Sequence, residues 1–160
     1  MPRFNSVRPV VFSADEMFAL VADVEKYPLF VPLCESLTVH GRETAPDGTG
    51  SITATMGIGY KAIREQFTTL VALDPAARAI VVRHKNGPFR RLENVWGFTP
   101  QGEQSCDVHF AIDYEFSSPL LAVIMGAVFD KAFRRFAEAF EERATVVYGC
   151  RPTASPNAMI

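Results

Sequence analysis

The run Cys106-Asp107-Val108-His109-Phe110-Ala111-Ile112-Asp113-Tyr114-Glu115-Phe116, followed by Ser117-Ser118-Pro119 and an apolar stretch reaching Phe129, carries the plan of the whole chain. Val108, Phe110, Ile112, Tyr114 and Phe116 alternate with Asp107, His109, Ala111, Asp113 and Glu115, the period of a strand with one face on the core. Ser117 and Ser118 then offer oxygens to the unpaired N–H groups of a helix start, and Pro119 suits its first position. From Pro119 to about Tyr148 the spacing predicts one long helix. Phe129, Phe133, Phe136 and Phe140 recur at intervals of four, three and four, and Asp130, Lys131, Arg134, Arg135, Glu138, Glu141 and Arg143 fill much of the remaining surface. Leu120 to Phe129 is apolar all round, which predicts burial on two sides or contact with another subunit or a membrane surface. A small α+β chain ending in such a helix wraps its sheet around it and leaves an apolar hollow between the two layers.

Upstream, Phe4 to Val11 reads as a first strand. Ser13 with Glu16 three residues later forms a capping-box pattern ahead of Met17, Phe18, Leu20 and Val21. Asp23 to Cys34 carries Pro28 and Pro32 among Tyr27, Phe30 and Val31, so helix there lasts a turn or two before an aromatic corner. Six more strands are predicted at about Leu37–Arg42, Ser51–Ile58, Ile63–Leu73, Ala79–His84, Arg91–Phe98 and Cys106–Phe116. The breaks between them fall at Pro46-Asp47-Gly48, Gly57 to Tyr60, Asp74-Pro75, Asn86-Gly87-Pro88 and Pro100-Gln101-Gly102. Turns this short predict antiparallel neighbours.

At 160 residues the chain has the length of one domain and needs no disulfide staples. A formal net charge of −2 gives no overall attraction to nucleic acid or anionic lipid. Cys34, Cys106 and Cys150 are odd in number and widely spaced, which favours a reducing compartment, and the N-terminus lacks a signal-peptide pattern; the expected location is the cytoplasm. The longest apolar run is about half of what a spanning helix requires.

Little in the chain invites catalysis. His40, His84 and His109 fall on separate predicted strands without ligand spacing, so no metal is expected. Cys34 lacks a local base and reads as an inert buried thiol. Gly57 and Gly59 do not form a phosphate loop. Glu65 shares its strand face with Ile63 and Phe67, and Asn94 with Leu92 and Trp96, so each needs a partner: a structural one, or the polar head of a ligand. Arg83, His84, Lys85, Arg90 and Arg91 bracket Gly87-Pro88 and concentrate positive charge on one hairpin. That hairpin is either a solvated tip or a contact for lipid headgroups or ribosomal RNA.

Three segments carry a resemblance. The first is Asp23-Val24-Glu25-Lys26-Tyr27-Pro28-Leu29-Phe30-Val31-Pro32-Leu33-Cys34, the second Gly87-Pro88-Phe89-Arg90-Arg91-Leu92 leading to Trp96 and Phe98, and the third Asp113-Tyr114-Glu115-Phe116 leading to Phe129, Phe140, Arg143, Ala144 and Tyr148-Gly149. Together they resemble the START-like, helix-grip family, part of a superfamily that includes polyketide cyclases, coenzyme-Q-binding proteins of respiratory membranes and bacterial ribosome-association toxins. Leu33 stands where some members carry tryptophan.

The resemblance implies an α+β, Bet v 1-like fold over residues 1–149: a curved antiparallel sheet of about seven strands around the long C-terminal helix, with two short helices after the first strand and a disordered tail over 150–160. It also implies a cavity for a hydrophobic molecule, no cofactor and no catalytic group. The side chains expected at a ubiquinone-like ligand are Tyr27, Phe30, Pro32, Glu65, Asn94, Trp96, Phe98, Phe110, Tyr114, Met125, Phe129 and Phe133. Arg83, Lys85, Arg90 and Arg91 are the candidates for RNA or headgroup contact. The leading expectation is a non-enzymatic quinone carrier that supports respiratory electron transport, at times peripheral to the inner membrane. The alternatives are a regulator that binds the large ribosomal subunit and a cyclase-like enzyme.

Overall fold

Seven antiparallel strands pair in the order β1-β7-β6-β5-β4-β3-β2, so the first strand of the chain closes against the last. They are β1 (Arg3–Val10), β2 (Cys34–Thr44), β3 (Gly50–Tyr60), β4 (Ile63–Asp74), β5 (Ala79–Asn86), β6 (Phe89–Gly102) and β7 (Ser105–Phe116). Between β1 and β2 lie α1 (Ala14–Ala22) and a 3-10 helix (Val24–Leu29), and after β7 come α2 (Pro119–Arg134) and α3 (Phe136–Tyr148). The computed structural model describes residues 3–149; the tail over 150–160, expected to be disordered, lies outside the described residues.

Local chemistry sets the helix starts as expected. Ser13 Oγ accepts the Glu16 N–H at 3.0 Å while Glu16 Oε1 accepts the Ser13 N–H at 2.9 Å, completing the capping box of α1. Ser118 Oγ accepts the Leu121 N–H at 3.3 Å and Pro119 opens α2. The alternation of β7 also holds: Val108, Phe110, Ile112, Tyr114 and Phe116 are all buried, and the intervening residues face outward. Opposite them stand Met125, Phe129, Phe133, Phe140 and Ala144 from α2 and α3, so sheet and helices share one core.

The long C-terminal helix is broken. At Arg135 the backbone N–H turns back to Ala132 O at 3.0 Å, three residues instead of four, and this tight turn separates α2 from α3. Phe129 and Phe133 on α2 and Phe140 on α3 are nevertheless all buried in the one core under the sheet. Nor is the apolar start of α2 buried on two sides: Met125 and Phe129 are covered, but Leu120 is 68% exposed, Val123 82% and Ile124 48%. Among the described residues no helix is long and apolar enough to cross a membrane.

Gly57 to Tyr60 is strand, where a turn was expected. The chain reverses at Lys61, which takes a left-handed φ of 55°. Gly57 sits in β3 because β2 presses on it; a Cβ there would lie 2.3 Å from Ser36 Oγ. Close approach of a neighbouring strand, rather than a turn, accounts for the glycine.

Candidate ligand cavity

Side chains of the 3-10 segment, the inner face of the sheet and the concave side of α2 and α3 converge on one apolar cavity of about 80 Å³. Of the residues expected at a ligand, Tyr27, Pro32, Asn94, Trp96, Phe129 and Phe133 line it. Several of the lining residues, Pro32, Leu33, Leu37, Met56, Phe67 and Phe136 among them, are half-exposed, so the cavity is not sealed deep in the core. Leu33 holds a φ of 69°, a left-handed conformation that strains a branched side chain, and its carbonyl accepts the Gly59 N–H at 3.0 Å.

The other six expected residues are placed elsewhere. Phe30 meets the ring of Phe140 edge-on at 4.9 Å and lies under the Arg143 guanidinium. Phe98 stacks on Trp96, and Phe110 meets Trp96 edge-on at 4.8 Å on the side away from the cavity. Tyr114 is buried against Phe133 at 5.0 Å, and Met125 is buried in the core. Glu65 lies on the inner side of β4, but half-buried near its open end, and it has no hydrogen bond or ion pair among the described residues. For the sheet residues among them, Glu65, Phe98, Phe110 and Tyr114, a shared strand face does not mean a shared place, because positions along one face of a curved sheet diverge.

Asn94 has the structural partners that its burial demands. Its Nδ2 donates to Ala111 O at 2.9 Å and its Oδ1 accepts from Trp96 Nε1 at 2.8 Å, so the amide is anchored to β7 and holds the indole in place. Tyr27 OH donates to Val21 O, and burial pushes its phenol well above the ordinary value. Thr69, buried on β4, is a polar lining residue that sequence reasoning passed over; its position two residues from both Phe67 and Val71 was the available signal. Phe140, read from the sequence as part of the helix stripe and of the third resembling segment but not as a ligand-site residue, receives Tyr27, Phe30 and Trp96 edge-on.

Cys34 and Cys106 are buried, and burial pushes each thiol up to about 11. A thiol-alkylating reagent at about pH 8.5, the ordinary thiol value, is expected to leave both unmodified in the native protein and to label them after denaturation. Peptide mass spectrometry reads the difference, and fast native labelling of Cys34 would show it to be reactive.

The basic hairpin is mostly neutralised. Arg83 pairs with Glu93 at 3.0 Å, Arg91 with Asp113 at 2.6 Å and Arg90 with Glu115 at 3.2 Å, while Arg3 reaches Asp113 at 3.2 Å. The Arg91 hydrogen bond holds the Asp113 carboxyl below its usual range. Of the four residues proposed for RNA or headgroups, only Lys85 lacks an ion pair among the described residues. A polar hollow of about 290 Å³ lies among these arginines, but its charged walls do not suit an oily guest. At the hairpin tip Gly87 has a φ of 142°, and a Cβ on it would lie 2.4 Å from Phe67 Cβ and 2.8 Å from Phe67 Cα. Gly87→Ala is therefore expected to cost about 1–3 kcal/mol, read as a lower urea midpoint; an unchanged midpoint would mean that the tip relaxes freely.

Among the described residues, no group of three or more His, Cys, Asp or Glu side chains is placed to hold a metal ion. His40 bonds Thr55 Oγ1 at 2.7 Å and His109 bonds Thr99 Oγ1 at 3.1 Å.

A curved antiparallel sheet closed over C-terminal helices, with an apolar hollow between them, defines a START-like helix-grip protein. A solved START superfamily protein from Mycobacterium smegmatis matches it with a TM-score of 0.75 at 21% identity, over 91% of this chain and 98% of that one. The chain belongs to the polyketide cyclase / dehydrase and lipid transport family, whose pattern matches residues 10–141. It is 33% identical to the ribosome association toxin RatA of Escherichia coli over 94% of this chain and 92% of that protein. It is 29% identical to the mitochondrial coenzyme Q-binding protein COQ10 homolog B of Xenopus laevis, over 91% of this chain and 59% of that protein.

Proposed function

We propose that the chain is a non-enzymatic binding protein that shelters a lipid quinone between its sheet and its C-terminal helices, in support of respiratory electron transport. The observation that carries this reading is the cavity itself, apolar and aromatic apart from Thr69, Asn94 and the inward-bonded Tyr27. No carboxylate, imidazole or amine lines it among the described residues, so a general acid–base pair has no seat beside a ligand. Removing several hundred Å² of isoprenoid tail from water at ~25 cal/mol per Å² contributes on the order of 10 kcal/mol before ordering costs.

The present volume constrains how a ligand is taken up. About 80 Å³ is room for no more than a handful of waters and well below the ~300 Å³ at which ligand pockets begin. A quinone therefore enters by displacing the Tyr27–Cys34 corner, or by swinging α2 about the break at Arg135. Lipid extracted from the purified protein should contain a quinone, and quinone titration should quench the fluorescence of Trp96. Absence of both results removes the proposal.

A second reading, a ribosome-binding regulator, is favoured by the near end-to-end similarity to RatA. Under that reading overexpression shifts the balance between free subunits and whole ribosomes on a sucrose gradient. A quinone carrier leaves that balance unchanged.

A further inference from the structure

We propose that the first two turns of α2, together with the tips of the β5–β6 and β3–β4 hairpins, form a docking surface for an anionic lipid bilayer. The apolar part is Leu120, Val123 and Ile124, with the exposed Ala122 and Ala127 beside them. The hairpin tip is fastened to the start of this helix: the Ser117 N–H and Oγ both donate to Pro88 O, at 2.8 and 2.9 Å. Lys85 stands three residues before Pro88 on the same hairpin, and it has no ion pair among the described residues. At the same end of the sheet, where Asn86 stands opposite Thr68, β4 runs on to the β3–β4 tip. That tip presents Tyr60, 37% exposed, with the Lys61 ammonium 5.3 Å from the centre of its ring.

Charge selects the occupant. The first turn of α2 carries no acidic residue, so no carboxylate of its own opposes the positive end of the helix dipole, at the end of the sheet where the Lys85 hairpin turns. An apolar helical wedge flanked by lysines and a tyrosine matches the chemistry of an anionic headgroup layer over acyl chains. A second copy of this chain fits poorly. Five small and aliphatic residues on two helical turns fall far short of the roughly 20–30 residues a side that a standard protein interface uses. The surface is independent of what fills the cavity, although it lies two turns along α2 from the cavity residues Phe129 and Phe133.

The test is flotation of the full chain with two kinds of vesicle, pure phosphatidylcholine and an equal mixture of phosphatidylcholine and phosphatidylglycerol. The wild type is expected to float with the mixed vesicles and much less with the neutral ones, and to be released by salt. Val123→Glu, at a position 82% exposed and so without a role in folding, is expected to weaken binding to the mixed vesicles by about tenfold or more. Lys85→Glu, which reverses one charge at the headgroup layer, is expected to weaken it by about tenfold. Failure of the wild type to float, or flotation that Val123→Glu leaves unchanged, overturns the proposal. So does a dimer in analytical ultracentrifugation that Val123→Glu dissociates, since the face would then be a self-association surface.

Discussion

Phe140→Ala is expected to lower the free energy of unfolding by about 3–5 kcal/mol, the range for deleting a buried aromatic side chain. The ring is 1% exposed and receives Tyr27 at 5.3 Å, Phe30 at 4.9 Å and Trp96 at 4.9 Å, all edge-on. Those partners come from the aromatic corner and β6, so one side chain on α3 joins three parts of the molecule. Removing it leaves a void beside the existing cavity, and the corner loses the surface it rests on. Against about 5–15 kcal/mol for a typical domain this is a large share. Urea denaturation followed by Trp96 fluorescence measures it. A loss under about 1 kcal/mol would mean that the corner repacks around the gap and that Phe140 is no hub.

Ala132→Phe is expected to abolish the capacity to take up a hydrophobic guest while sparing the fold. Ala132 is 7% exposed on α2 and faces the cavity beside Phe129 and Phe133. A ring at this position occupies the about 80 Å³ now empty and ties α2 to the sheet, which also opposes the swing that would enlarge the space. Quinone affinity should fall by at least about thirtyfold, equivalent to roughly 2 kcal/mol. Stability should change by no more than the about 1–3 kcal/mol of overpacking. Unchanged quenching of Trp96 in this variant would place any ligand outside the cavity. A variant that stays folded and ligand-free also separates the two functional readings, because a ribosome-directed activity has no need of an empty cavity.

Where the fold was legible, the information was local. The alternation of β7, the Ser13–Glu16 capping box and the Ser118-Pro119 helix start depend on residues within a few positions of one another, and each formed as read. The candidate site was legible by half. Trp96, Asn94, Phe129 and Phe133 come to the cavity because strand parity and helix spacing aim them inward. Phe98, Phe110 and Tyr114 are aimed inward too, yet they end against other aromatic rings, since parity specifies a face and not a place along a bent sheet. The charge of the basic hairpin was only partly legible for a related reason. Counting Arg83, Arg90 and Arg91 along the chain hides Glu93, Asp113 and Glu115, which cross-strand register brings beside them.

The order of residues alone determined which segments are strand or helix, which face of each is apolar, and that successive strands run antiparallel, because those properties follow from periodicity and turn chemistry. The three-dimensional packing decided that β1 pairs with β7, as in Phe4 with Ile112, that the last helix breaks at Arg135, and that Leu120 and Val123 stay in solvent. It also decided how much space remains under the sheet. Each of these depends on how burial is shared among elements far apart in the chain, and a side chain's own neighbours in sequence carry no record of that division.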